Sequence, residues 1–133
     1  GLGDVYLFGL TAGAWGQEAR LSAPKGDERA GFGHAVALDG DLLAVTAIDA
    51  IANDSPTGAV HLYRRIGGDW FHTARLTSPD NVEAESFGDE LAMDRERLLI
   101  SDPEADAPEY NSGVAWLYDL NAKNAATAWS RYP

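Results

Sequence analysis

The chain has 133 residues, with 10 Lys and Arg against 21 Asp and Glu, for a formal charge of -11 and no cysteine. That length is one domain with room for a real core. The charge repels phosphate backbones and anionic headgroups, which argues against nucleic acid as a partner. No apolar run reaches the roughly 20 residues that span a bilayer, which argues against membrane insertion. The lack of cysteine excludes disulfides and thiolate metal sites. Because the first residue is Gly1 rather than Met, a processed product or a piece of a longer chain is expected.

In chain order, Gly3 precedes an apolar strand, "DVYLF" from Asp4, and Trp15 opens a second that ends in "ARLSAP" from Ala19. Phe32-Gly33 then begins a strand that runs to Asp39-Gly40, a strong hairpin signal. "LLAVTA" from Leu42 is the next strand, followed by a polar loop, "IDAIANDSPTG". "AVHLYRR" from Ala59, the turn Gly67-Gly68 and "WFHTARLTS" from Trp70 complete four antiparallel strands. After a loop with Pro79, Phe87-Gly88 starts the series again through "RLLI" and "VAWLY" to Leu120. "TAWSRYP", around Trp129, is expected as a displaced fourth strand, and no stretch carries a sustained helical period.

The elements recur at a fixed spacing. Gly3, Gly58 and Gly113 are 55 residues apart, as are Phe32-Gly33 and Phe87-Gly88, Trp15 and Trp70, Asp39 and Asp94, and Leu43 and Leu98. "ARLSAP" returns as "ARLTSP" from Ala74. Several strands ("VYLF", "LLAV", "RLLI") are apolar on both sides, so each sheet needs cover on both faces. Four-stranded sheets stacked face to face around an axis supply that cover. The expected fold is therefore all-β, with β-propeller blades of four antiparallel strands: a partial blade over 1–24, a complete one over 32–79, and a third over 87–133 with an irregular last strand. Closed propellers usually have about four to eight blades. About two and a half leave open sheet edges that invite further blades, from the same or another chain.

The order Phe-Gly, apolar strand, "LDGD", "LLAV", loop, "GAVHLY", then Trp and "ARL.SP" resembles the FG-GAP repeat, the blade unit of integrin α-subunit-like propellers and of many secreted bacterial proteins. The likeness covers nearly the whole chain to about Leu120. It departs where the family has Gly-Ala-Pro, since Thr46–Ile48 read "TAI" and Ser101–Pro103 read "SDP". The resemblance implies a non-enzymatic interaction or structural scaffold, in an extracellular, surface or periplasmic setting, with a protein partner. Alternatives are a carbohydrate-binding propeller and an accessory domain of a secreted hydrolase.

Related propellers often carry an Asp-x-Asp-x-Asp-Gly calcium loop, which this chain lacks. Its nearest counterpart is Asp102, Glu104 and Asp106, spaced two apart and a candidate for Ca2+, although Pro103 and Pro108 interrupt the run. The alternative is a solvated acidic loop. Asp49 and Asp54 align with Glu104 and Glu109, and together with Tyr110 and Trp116 they are the candidate contacts for a ligand or partner. Trp116 occupies the position of Tyr6 and His61, a site that varies between units. Tyr110, Trp129 and Tyr132 are the residues a carbohydrate would stack on. Trp15 and Trp70 recur in register and are expected to pack between blades. His34, His61 and His72 fall at three different blade positions without zinc spacing, so each is read as a strand residue facing a neighbour or solvent.

Overall fold

A computed structural model describes residues 2–52, 54–79, 86–105 and 112–132. Strands β1 (Asp4–Thr11) and β2 (Ala14–Ser22) form a hairpin. A central sheet follows, built from β3 (Phe32–Asp39), β4 (Leu42–Ala47), β7 (Ala59–Ile66) and β8 (Asp69–Thr77) in the order β3-β4-β7-β8. The loop between β4 and β7 holds a small two-stranded turn, β5 (Ile51–Ala52) with β6 (Ser55–Pro56). The third sheet contains β9 (Leu91–Asp94), β10 (Arg97–Asp102), β11 (Val114–Asp119) and β12 (Trp129–Tyr132), in the order β9-β10-β11-β12, with a single 3-10 turn at Ala125–Thr127 before β12. All pairings are antiparallel. The expected all-β blades are present, and Trp129–Tyr132 supply a fourth strand.

The double-sided apolar pattern has a direct cause. Every residue of β4 is buried. Leu42 and Ala44 face a core shared with the third sheet, together with Val60, Leu62, Leu76, Phe87, Leu98, Ile100, Trp116 and Tyr118. Leu43, Val45 and Ala47 face a second core, shared with the hairpin through Leu7, Val5 and Leu21. The central sheet is thus covered on both flanks, and each covering layer is a copy of part of it.

The Phe-Gly joint locks one layer to the next. Phe87 is fully buried, and its N–H donates to the Thr57 carbonyl at 3.0 Å. A Cβ at Gly58 would run into the Phe87 carbonyl oxygen, and one at Gly3 into that of Phe32, which explains why glycine recurs at these two positions. Gly88 donates to the Ser101 carbonyl at 2.9 Å and accepts from the Thr46 hydroxyl at 2.6 Å. Where the family places Gly-Ala-Pro, this chain therefore makes the inter-sheet contact with a side-chain hydroxyl. At the hairpin turns the layers meet again: the Asp39 carboxylate accepts the backbone N–H of Arg95.

A shared irregularity confirms the repeat at the level of register. The pairing of β1 with β2 shifts between Leu7 and Phe8, and that of β7 with β8 shifts at the equivalent Leu62 and Tyr63. The third sheet runs without this bulge: Tyr118 pairs with Trp129 and Trp116 with Arg131. Its fourth strand is displaced along the sequence, and Arg131 takes the cross-strand place of Arg20 and Arg75. The pairs Tyr6–Arg20, His61–Arg75 and Trp116–Arg131 are the same element written three times. The Arg20 and Arg131 guanidinium groups lie 5.8 and 5.7 Å from the Tyr6 and Trp116 ring centres.

Two sequence expectations change here. Trp116, a candidate surface contact, is fully buried under the central sheet and meets Trp129 edge-on at 5.0 Å, so it belongs to the core. Trp70 packs against the hairpin-side core, but Trp15 is 71% exposed, because it lies on the outward face of the first hairpin.

Two stability outcomes follow. Gly88 has φ +94, and an added Cβ would sit 2.8 Å from both the Thr46 and Val60 side chains. Gly88→Ala should cost about 3 kcal/mol, combining backbone strain with overpacking, read as a lowered denaturant midpoint. Arg95 has φ +59, the value Gly40 has at the equivalent turn. Arg95→Gly should therefore stabilise the fold by about 1 kcal/mol, measured in the same way.

Candidate functional site

A polar cluster lies in the hairpin-side core. Asp27 sits in the loop between β2 and β3, where its N–H donates to the Pro24 carbonyl at 3.0 Å and its carbonyl accepts from Ala30 at 3.1 Å. This tight turn sends the carboxylate inward, where Asp27 is 5% and His61 1% exposed. His61 on β7 places Nε2 at 2.7 Å from Asp27 Oδ2 and Nδ1 at 2.9 Å from His72 Nε2 on β8. Arg75 on β8 forks onto Asp27, with Nε at 2.9 Å from Oδ2 and Nη2 at 3.2 Å from Oδ1, and Nη2 also donates to the Ile51 carbonyl at 2.9 Å. Phe32 and Tyr63 close the cluster with edge-on contacts to His61 and His72.

The bonding pattern fixes the proton positions. An ionised Asp27 accepts the Nε2–H of His61, which leaves the His61 Nδ1 lone pair to accept the Nε2–H of His72. Burial pushes the Asp27 pKa up, but the hydrogen bonds of Arg75 and His61 and the charge of Arg75 outweigh it and hold the carboxyl below its ordinary range. Burial pushes both imidazoles down, partly opposed at His61 by Asp27. The result is a carboxylate, a guanidinium and two neutral imidazoles at neutral pH.

The third sheet shows what this position needs for folding. Its equivalents of His61 and His72 are Trp116 and Trp129, whose rings are 5.0 Å apart where the imidazoles are 5.1 Å apart. The sequence equivalent of Asp27 is Val82. An aromatic pair fills this position in one sheet, and a charged, hydrogen-bonded set fills it in the other. Reading the histidines singly missed this cluster. The sequence signal for it was the failure of Asp27, His61 and His72 to recur inside an otherwise regular repeat.

Beside the cluster lies a surface pocket of about 360 Å3 lined by Lys25, Asp27, Arg29, Asp49, Ile51 and Arg75, with Gly26 and Ala30. Of the residues singled out by sequence, Asp49 is brought to this pocket. Asp54 is exposed in the β5–β6 turn with φ +64. Asp102 is fully buried and its Oδ1 accepts the Ser86 N–H at 2.9 Å, so its carboxylate serves the fold. Glu104 is exposed, and Asp106, Glu109 and Tyr110 lie outside the described residues. Among the described residues no group of three His, Asp or Glu side chains is arranged to hold a metal ion. His34, by contrast, meets its own repeat equivalent: Nε2 lies 3.1 Å from Asp89 Oδ1 across the inner strands.

A family model described as FG-GAP repeat matches residues 15–63 and 70–118. The two matches are offset by the internal period, and each begins on the last strand of one sheet and ends on the third strand of the next. None of the curated proteins compared with the chain matches it. No helix among the described residues is long and apolar enough to cross a membrane.

The cluster makes stability depend on pH with a definite sign. His61 and His72 bind protons less readily folded than unfolded, so below the ordinary imidazole value of about 6.5 the unfolded chain takes up more protons. The depressed Asp27 carboxyl acts in the same direction at lower pH. Stability should fall as pH drops from 7 towards 5, seen as a falling urea midpoint, and a His61→Phe/His72→Phe variant should show a flatter profile over that range.

Proposed function

This chain belongs to the FG-GAP repeat family, and we propose that it serves as a non-enzymatic protein-interaction scaffold of an extracellular or surface protein. Repeats of this family occur in such proteins as interaction modules. The observation that supports the reading is the outward face of the first hairpin. Leu7 and Val5 turn inward onto the central sheet, which leaves Tyr6, Phe8 and Leu10 on the opposite side with Trp15, the register partner of Leu10. All four are half-exposed or more.

Their repeat equivalents in the central sheet are His61, Tyr63, Arg65 and Trp70, the face that the hairpin covers. The first hairpin thus presents, uncovered, the side of a blade that elsewhere in the same chain receives another sheet. Exposed aromatic area of this kind favours association with protein. The same logic holds at the far end, where Leu99 on β10 is 40% exposed on the outer side of the third sheet. The stack carries exposed apolar residues at both ends, and its partner is a β-sheet of another protein or further blades.

Sedimentation of the purified chain tests this. Wild type should associate increasingly with concentration, and a Phe8→Glu/Trp15→Glu variant should sediment as a monomer with an unchanged melting curve. Wild type that stays monomeric at its highest soluble concentration would remove the end-face reading.

A further inference from the structure

The basic pocket beside the polar cluster stands out against a chain of formal charge -11. Lys25, Arg29 and Arg75 line it, against the carboxylates of Asp27 and Asp49. Asp27 is fully engaged, since both its oxygens accept from Arg75 and one also from His61. It acts as the post that holds the Arg75 guanidinium at the pocket wall. Glu28, the remaining acid of the loop, is turned back onto its own backbone and accepts the Gly26 N–H at 2.8 Å. Lys25 and Arg29 are exposed, and neither has an ion pair with any described residue.

Comparison within the chain shows that these charges do not recur with the repeat. At the positions of Lys25, Asp27 and Arg29 the following unit carries Asp80, Val82 and Ala84. With His61 and His72 replaced by Trp116 and Trp129, five departures from the repeat converge on one place. Scaffold residues recur in this chain, whereas these do not. Buried charge held by a forked guanidinium is costly to assemble.

We propose that this pocket binds a side-chain carboxylate of a partner protein, presented next to an apolar residue that packs on Ile51. The inference rests on reading the chain as a protein-interaction module and names the chemistry of one contact. Three cations outnumber two carboxylates, which suits a singly charged anion. A multiply charged phosphate would be opposed by Asp49 and by the field of the whole chain. Ile51 is 62% exposed at the rim and supplies the apolar half of the contact. A carboxylate seated between Lys25 and Arg29 completes the ion pairing that the chain leaves open, and Arg75, already oriented by Asp27, forms the back of the site.

The test is a nuclear magnetic resonance titration of the full chain with the acetylated, amidated peptide Leu-Glu-Leu, its Leu-Gln-Leu counterpart and inorganic phosphate. The Glu peptide should shift the amide resonances of Gly26, Ala30 and Ile51 saturably, and the Gln peptide and phosphate should bind at least about tenfold more weakly. Lys25→Asp/Arg29→Ala, which copies the following unit at two exposed positions, should lose about tenfold in Glu-peptide affinity. Arg29→Lys should retain most of it. Equal binding of the Glu and Gln peptides, tighter binding of phosphate, an unaffected double variant, or no binding by wild type would each overturn the proposal. None of these results bears on end-face association, so the two readings fail separately.

Discussion

A sheet that is apolar on both faces cannot stand alone in water, and that constraint organises this molecule. The central strand β4 has no exposed residue. Its odd positions bury against the hairpin and its even positions against the third sheet. Neither cover is a helix or an unrelated layer; each is another copy of the same unit, so the chain solves its packing problem by repetition. The Phe-Gly joint makes that stacking specific. A buried ring, a backbone hydrogen bond and a close glycine approach leave one way for the next sheet to sit.

The sequence repeat and the sheet are not the same segment, and the offset has a mechanical meaning. Each family match starts on the outer strand of one sheet and runs into the next. The chain that finishes one layer therefore carries the loop that covers the following one, and Asp27 lies in that crossing. A residue there can reach the face of the next sheet while its neighbours stay at the surface. This is how one loop supplies both a buried carboxylate and the exposed cations of the adjoining pocket.

The polar cluster also shows how a repeat protein can diversify without losing its fold. One position accommodates a tryptophan pair in the third sheet and a histidine pair in the central one, with nearly the same ring separation. The histidine version requires a carboxylate to accept from His61 and an arginine to pair with that carboxylate, and both are present. Buried polar groups are tolerated only as complete networks. Here the arginine was already part of the repeat, as Arg20, Arg75 and Arg131, so three further residues completed the set.

Composition and spacing alone determined the class of fold, the unit length, the four-stranded blade and the need for cover on both faces. These are local and periodic properties, and hydrophobic pattern and turn chemistry write them directly into the chain. Tertiary structure alone decided that Trp116 is core and Trp15 surface. Both sit at regular repeat positions, and what differs is whether a neighbouring sheet lies on that side of the stack. It alone also joined Asp27, His61, His72 and Arg75, which come from one loop and two strands, and turned Asp102 inward to cap Ser86. Such contacts depend on where a loop crosses between layers and on a bulge that shifts register by one residue, neither of which a period can carry.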